Sequence, residues 1–267
     1  MKRFLLISLI WPGYLLAQDN ARQIEMTQLL LIKNHQVLSG NKQPDGLAEH
    51  SETVLRKAER YRYQGDFDKA VPLYQQAAQL NPKRQGYIGY VHLAFLHDYS
   101  RAMQYLNAYD ALTPTFDDIE GNNPVSYYRG VIYLKTNEFA LAIEQLNKSI
   151  GDIERKHGSE WVNYRYYVSR ARAFLATSQP QKALDDLDKA VANYKKSALA
   201  YYHRGLALVQ LGRTAEAKSA FQDAQFFFGA KRVEALQAGQ AVIPEDQLFP
   251  LYESEIEAAI DQLKLKP

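Results

Sequence analysis

Three stretches of this chain repeat the same order of small and large side chains in register, and this limits the possible folds more than any other feature. Read from Asn123, Tyr164 and Ala198, the first small residue falls at Gly130, Ala171 and Gly205, each directly after an arginine (Arg129, Arg170, Arg204). A large residue follows at Tyr133, Phe174 and Leu208, and a second small one at Ala142, Ala183 and Ala217. Leu146, Leu187 and Phe221 come next, then Ser149, Ala190 and Ala224. The second and third stretches are spaced by 34 residues and the first and second by 41, so the first carries about seven extra residues. Each stretch is an apolar-periodic run, a short polar break and a second such run, the pattern of a helix hairpin. The breaks QGDFD, LHDYS, KTNEF, TSQPQ and LGRTA are rich in turn formers. One hairpin cannot bury its apolar face alone, whereas a stack of them buries a continuous core.

These residues resemble the tetratricopeptide repeat (TPR) family. Two earlier segments fit the pattern: Ala58, Tyr61, Gly65, Ala70, Tyr74, Ala77 and Pro82 in the first, and Leu93, Ala102, Leu106, Tyr109 and Pro114 in the second, where Tyr90 replaces the first small residue. The fold class expected is all-α: a TPR-type helical solenoid of about five hairpin repeats with flanking helices. The repeats span 51–229, at about 51–82, 83–116, 123–163, 164–197 and 198–229. The resemblance implies a right-handed superhelix whose concave face is lined by the first helix of each pair.

Residues 1–17 read as a secretory signal peptide. Lys2 and Arg3 precede a 14-residue apolar run, Phe4 to Ala17, that is too short to span a bilayer and is broken by Pro12-Gly13. The expected location is therefore exported, periplasmic or secreted. Without cysteine there is no lipobox, so no lipid anchor is expected, and folding proceeds without disulfides. The chain has 32 Lys plus Arg against 30 Asp plus Glu; losing the two leader bases leaves a formally neutral mature part. That balance argues against nucleic-acid binding. No transmembrane segment is expected in the mature chain.

Residues 18–50 read as an N-terminal helix, capped at Asp19 or Asn20, followed by a loop. Beyond Phe228 the sequence reads as an irregular connection. A C-terminal capping helix then places Tyr252, Ile256, Ile260 and Leu263 at helical spacing, with Ser254, Glu255, Glu257 and Asp261 facing water, so that 230–267 is connection plus cap.

Signals for chemistry are poor. The histidines (His35, His50, His92, His97, His157, His203) form no metal-binding pattern, and no nucleophile elbow or phosphate loop is present. The expectation is no catalytic residue, no metal and no cofactor. Asp185, Asp186 and Asp188 read as a solvated outer face. Trp161, the only tryptophan outside the leader, reads as packed at a helix junction.

The resemblance places candidate partner-binding residues on the concave face: Tyr63 in the first repeat and Tyr87, Val91 and Phe95 in the second. The third contributes Tyr127, Val131, Leu134 and Lys135, the fourth Arg165, Arg172 and Leu175, and the fifth Tyr202, Leu206 and Val209. Aromatic and arginine side chains are good peptide anchors. The alternative use of this surface is as ordinary core, filled by the superhelix or its terminal helices. The carboxylate-clamp subtype of the family needs Lys and Asn at two positions held here by Leu55/Glu59, Tyr127/Val131, Val168/Arg172 and Tyr202/Leu206, so that function is not transferred. The reading is a non-enzymatic exported adaptor that binds a peptide or helical segment of a protein partner in the cell envelope. The alternative is a structural subunit that self-assembles, as a homo-oligomer, through the groove or terminal helices. A hydrolase or sugar-binding protein on the same solenoid is a third reading.

Overall fold

A computed structural model describes residues 46–264, which hold eleven α-helices and one two-stranded sheet. The signal-peptide reading of 1–17 and the helix read in 18–45 lie outside the described residues. Helices α1 (Gly46–Tyr63) and α2 (Phe67–Leu80) form the first pair, with residues 46–50 already helical. Then come α3 (Gln85–Ala94) with α4 (Tyr99–Asp110), α5 (Val125–Lys135) with α6 (Phe139–His157), α7 (Tyr164–Ala176) with α8 (Pro180–Asn193), and α9 (Ala198–Gln210) with α10 (Thr214–Gln237). Helix α11 (Glu253–Lys264) packs on α10 and closes the stack. Five stacked pairs and a closing helix make an all-α right-handed solenoid.

Local chemistry sets the helix boundaries. Asp98, Asn163 and Ser197 cap α4, α7 and α9 by accepting from the backbone N–H of Arg101, Arg165 and Ala200 at 3.0, 3.1 and 2.9 Å. Each turn inside a pair carries one residue with positive φ: Gly65, His97, Asn137, Ser178 and Gly212. In four of these turns the next N–H reaches back five residues, as in Asp66 to Tyr61 at 2.9 Å and Arg213 to Leu208 at 2.9 Å.

The small repeat residues are the contact points within each pair. A Cβ built on Gly205 would lie 2.4 Å from the Phe221 ring, and one on Gly130 would lie 2.6 Å from Leu146. The repeat arginines tie neighbouring elements together. Arg129 Nη1 meets Asp110 at 2.8 Å, Arg170 forks onto Asp186 at 2.8 and 2.7 Å, and Arg204 meets Asp188 at 2.7 Å. The buried core divides within α3: Ile88 and Val91 join the first pair, whereas Leu93 joins a second cluster that runs on to Ile256 in α11.

Three sequence expectations change, and one short segment is new. The chain does not become irregular at Phe228. Helix α10 continues to Gln237, because Ala, Lys, Arg, Glu and Leu favour it and no proline intervenes. It ends at Gly239 (φ 65°), where Gln240 N–H reaches Ala235 O at 2.8 Å. Trp161 is 71% exposed, since the short 3₁₀ turn Ser159–Trp161 puts Val162 into the core in its place. Asp186 is buried rather than solvated, held by the Arg170 fork. Between α4 and α5, β1 (Ile119–Glu120), in a stretch without a sequence assignment, pairs with β2 (Asn123–Pro124), the first two residues of the third repeat.

Candidate partner-binding groove

The first helices α5, α7 and α9 stand side by side, and the chain itself crosses them. After Gly239 it turns back as residues 240–252, a strap without regular secondary structure, bracketed by Pro244 and Pro250. Arg165 donates from Nε to the Glu245 carbonyl at 3.0 Å and again from Nη2. The Glu245 carboxylate accepts from the Ser197 hydroxyl and, at 3.3 Å, from Leu199 N–H. It therefore sits at the N-terminus of α9, where the helix dipole favours an anion. Asp246 is 4% exposed; its Oδ1 accepts from Leu248 N–H and Phe249 N–H at 2.9 and 3.3 Å, folding the strap into a turn.

Phe249 is the strap's anchor. Its ring meets two groove cations, with Lys135 Nζ 4.2 Å and Arg172 Cζ 4.1 Å from the ring centroid. Burial, and then the Arg172 charge, push the Lys135 ammonium down to about 8. Burial likewise lowers Arg172, with Asp246 and Glu255 opposing it. Arg172 Nη1 donates to His203 Nε2 at 2.9 Å, which assigns that imidazole as neutral with its proton on Nδ1.

An aromatic series leads away from the strap. Tyr166 stacks on Tyr127 at 4.3 Å; Tyr127 meets Tyr128, Tyr128 meets Tyr90, and Tyr90 meets Phe95, at 5.6–5.9 Å. Asn123 orients it, accepting from Tyr166 OH at 3.0 Å and donating to Tyr128 OH at 2.9 Å. Beside the strap an open cleft of about 640 Å³ is lined by Tyr87, Tyr90, Glu120, Tyr127, Tyr128 and Arg165, and closed on its far wall by Lys231 and residues 243–248.

The residues read from the sequence therefore separate into three groups. Tyr127, Lys135, Arg165 and Arg172 converge on the strap and its cleft. Val91, Val131 and Leu134 are buried in the core, and Leu175, Tyr202, Leu206 and Val209 are half-buried against it, so these seven present little free surface. Tyr63 and Phe95 instead enclose Arg62, whose guanidinium carbon lies 4.2 and 4.0 Å from their ring centroids. Arg62 is paired with Glu59 at 2.8 Å, and Glu59 also accepts from Tyr74 OH at 2.6 Å. Burial works against the Arg62 charge, but Glu59 outweighs it and holds the group protonated. Tyr87 leans towards the same carboxylate and also reaches the cleft.

Sequence reasoning missed Tyr90, Tyr128 and the strap residues Glu245, Asp246 and Phe249. The signal for the strap was a short acidic and aromatic run caged by two prolines. Among the described residues, no group of three or more acidic or histidine side chains could hold a metal ion, and no helix is long and apolar enough to cross a membrane.

Residues 52–84 and 168–231 match family models described as tetratricopeptide repeat. No curated protein matches the chain significantly in sequence. Several solved structures share its fold. MamA from Desulfovibrio magneticus RS-1 is 20% identical over 71% of this chain and 98% of that one, with a TM-score of 0.53. A tetratricopeptide repeat protein from Parabacteroides merdae is 13% identical over 81% and 79%, with a TM-score of 0.54. The Cut9–Hcn1 hetero-tetramer is 14% identical over 81% and 36%, with a TM-score of 0.56. Tetratricopeptide repeats are thus detected at 52–84 and 168–231, within a helical solenoid that these solved structures share.

Proposed function

We propose that this chain is a non-enzymatic adaptor that holds an extended segment of a protein partner on the concave side of its solenoid. On the strength of the Lys2–Ala17 leader, we place its work outside the cytoplasm, in the cell envelope. One observation carries the reading. Beside a strap already gripped by α5, α7 and α9, an open cleft is lined by four tyrosines and an arginine, of which Tyr87 and Tyr90 keep free surface. Tyrosine and arginine give large contact area and directional hydrogen bonds at low entropic cost, the properties of binding hot spots. A prebuilt solenoid also loses little freedom on binding. The test is affinity capture from an envelope extract with the tagged chain, run beside a Tyr87→Ala, Tyr90→Ala variant shown by circular dichroism to be folded. The expected result is a protein retained by the parent and lost by the variant. Equal retention by both would move the site away from the cleft.

Self-assembly is the second reading, and the far end of α10 favours it. Phe226, Val233 and Leu236 are 68, 49 and 66% exposed at i, i+7 and i+10, one apolar stripe along the helix. Light scattering of the parent and of a Leu236→Lys variant decides it. A dimer lost in the variant supports assembly through this stripe, and a parent that is monomeric at high concentration removes it.

A further inference from the structure

The strap is held as a bound peptide is held. Arg165 takes a main-chain carbonyl, a contact that any residue at that position offers. Ser197 and Leu199 N–H take the Glu245 carboxylate at a helix N-terminus. Lys135 and Arg172 both lie within 4.2 Å of the centroid of an aromatic ring, Phe249. The two prolines keep the segment out of helical conformation, so its backbone stays available to the groove. The carboxylates whose fields act on Lys135 and Arg172 are Asp246 and Glu255, which belong to the strap and α11 and not to the repeat helices. The repeats thus carry a cationic groove whose counter-charge arrives with the occupant.

We infer that the concave face of the third to fifth helix pairs is a site for a non-helical acidic–aromatic peptide, one carboxylate followed three or four residues later by phenylalanine. The chain's own Glu245–Phe249 occupies it as a built-in competitor. This rests on the adaptor reading and specifies its ligand. A partner bearing the same pattern enters from the open cleft at Tyr87 and Tyr90 and displaces the strap towards Phe249. Because the strap is tethered at both ends, by α10 and α11, its effective concentration is high, and a free peptide competes only weakly until the tethered copy is impaired.

The probe is the labelled synthetic peptide VIPEDQLFPLY, residues 242–252, followed by fluorescence anisotropy against the full chain. Phe249→Ala in the full chain vacates the anchor position. This variant is expected to stay folded by circular dichroism and to bind the peptide at least about tenfold more tightly than the parent. Adding Lys135→Ala and Arg165→Ala, or replacing the peptide's phenylalanine by alanine, is expected to weaken binding at least about tenfold. A folded Phe249→Ala chain that binds no better than the parent overturns the inference. So does a Phe249→Ala chain that fails to fold, since a displaceable occupant leaves its solenoid intact. If affinity capture yields a partner that excess peptide does not release, this inference falls and the adaptor reading stands. Tight peptide binding with no partner captured keeps the site and removes the adaptor.

Discussion

At Gly205 the repeat pattern has a direct steric cause. A methyl group there meets the Phe221 ring at 2.4 Å, and Phe221 is itself fully buried, so neither side has room to yield. Gly205→Ala should therefore destabilise the fold by roughly 1–3 kcal/mol, the cost of overpacking a dense core, as read from the urea midpoint. An unchanged midpoint would mean that α9 and α10 separate more easily than the geometry indicates. The arginine before each small residue has a second role that no helical periodicity reveals. Arg170 forks onto buried Asp186 and also donates to Asn147 at 2.8 Å, linking α6, α7 and α8. Asp186→Ala leaves this guanidinium largely buried and unpaired, with an expected loss of roughly 2–4 kcal/mol, whereas removing the exposed Asp185 should shift stability by less than about 0.5 kcal/mol. Similar losses for the two would contradict the burial difference. In the sequence, Asp185, Asp186 and Asp188 looked equivalent, because helical spacing gives a face but not the partner waiting on it.

At the level of elements, the turns are as repetitive as the helices. Each needs one residue in the left-handed region, and glycine fills it in only two of the five. Ser178 sits there with φ 55°. Ser178→Gly relieves that strain at some entropic cost in the unfolded chain, and should raise stability by about 0.5–1 kcal/mol. Thermal unfolding measures it, and a fall in the midpoint would show that the serine pays its way through contacts of its side chain. Helix pairs and breaks were legible because small residues, large residues and turn formers alternate in register. The length of α10 was not. Gly229 looks like a stop, yet a single helical glycine costs only about 1 kcal/mol and favourable neighbours carry the helix past it. Trp161 was misread for a related reason: a tryptophan is usually buried, but a 3₁₀ turn decides which of two adjacent residues points inward, and here Val162 does.

At the level of the whole molecule, two buried histidines couple stability to pH. Burial pushes His92 down to about 4, with Asp98 opposing, and burial and then Arg172 hold His203 well below its usual range. The unfolded chain protonates both near pH 6.5, so it binds more protons than the folded chain below that value. Stability is therefore full above about pH 7 and declines as pH falls towards 4, by roughly 2 kcal/mol at pH 5 for His92, with His203 acting in the same direction. Urea midpoints at pH 7.5 and 5.0 test this, and equal midpoints would show that both rings protonate within the native fold. His203 also accepts from Arg172, which clasps Phe249, so its loss of neutrality would be felt at the strap.

The sequence by itself determined the helical class, the number of pairs and which residues meet inside each pair, because these depend on short-range spacing repeated along the chain. The resemblance to the repeat family, carried over by register, also pointed to Lys135, Arg165 and Arg172 as candidate groove residues. What fills the groove was decided only by tertiary structure. Arg165 and Glu245 are 80 residues apart, and no periodicity links them. The return of the strap follows from the full length of α10, the turn at Gly239 and two prolines that keep the residues between them out of helical conformation. Cationic side chains from separate repeats then find their acidic and aromatic complement in three dimensions.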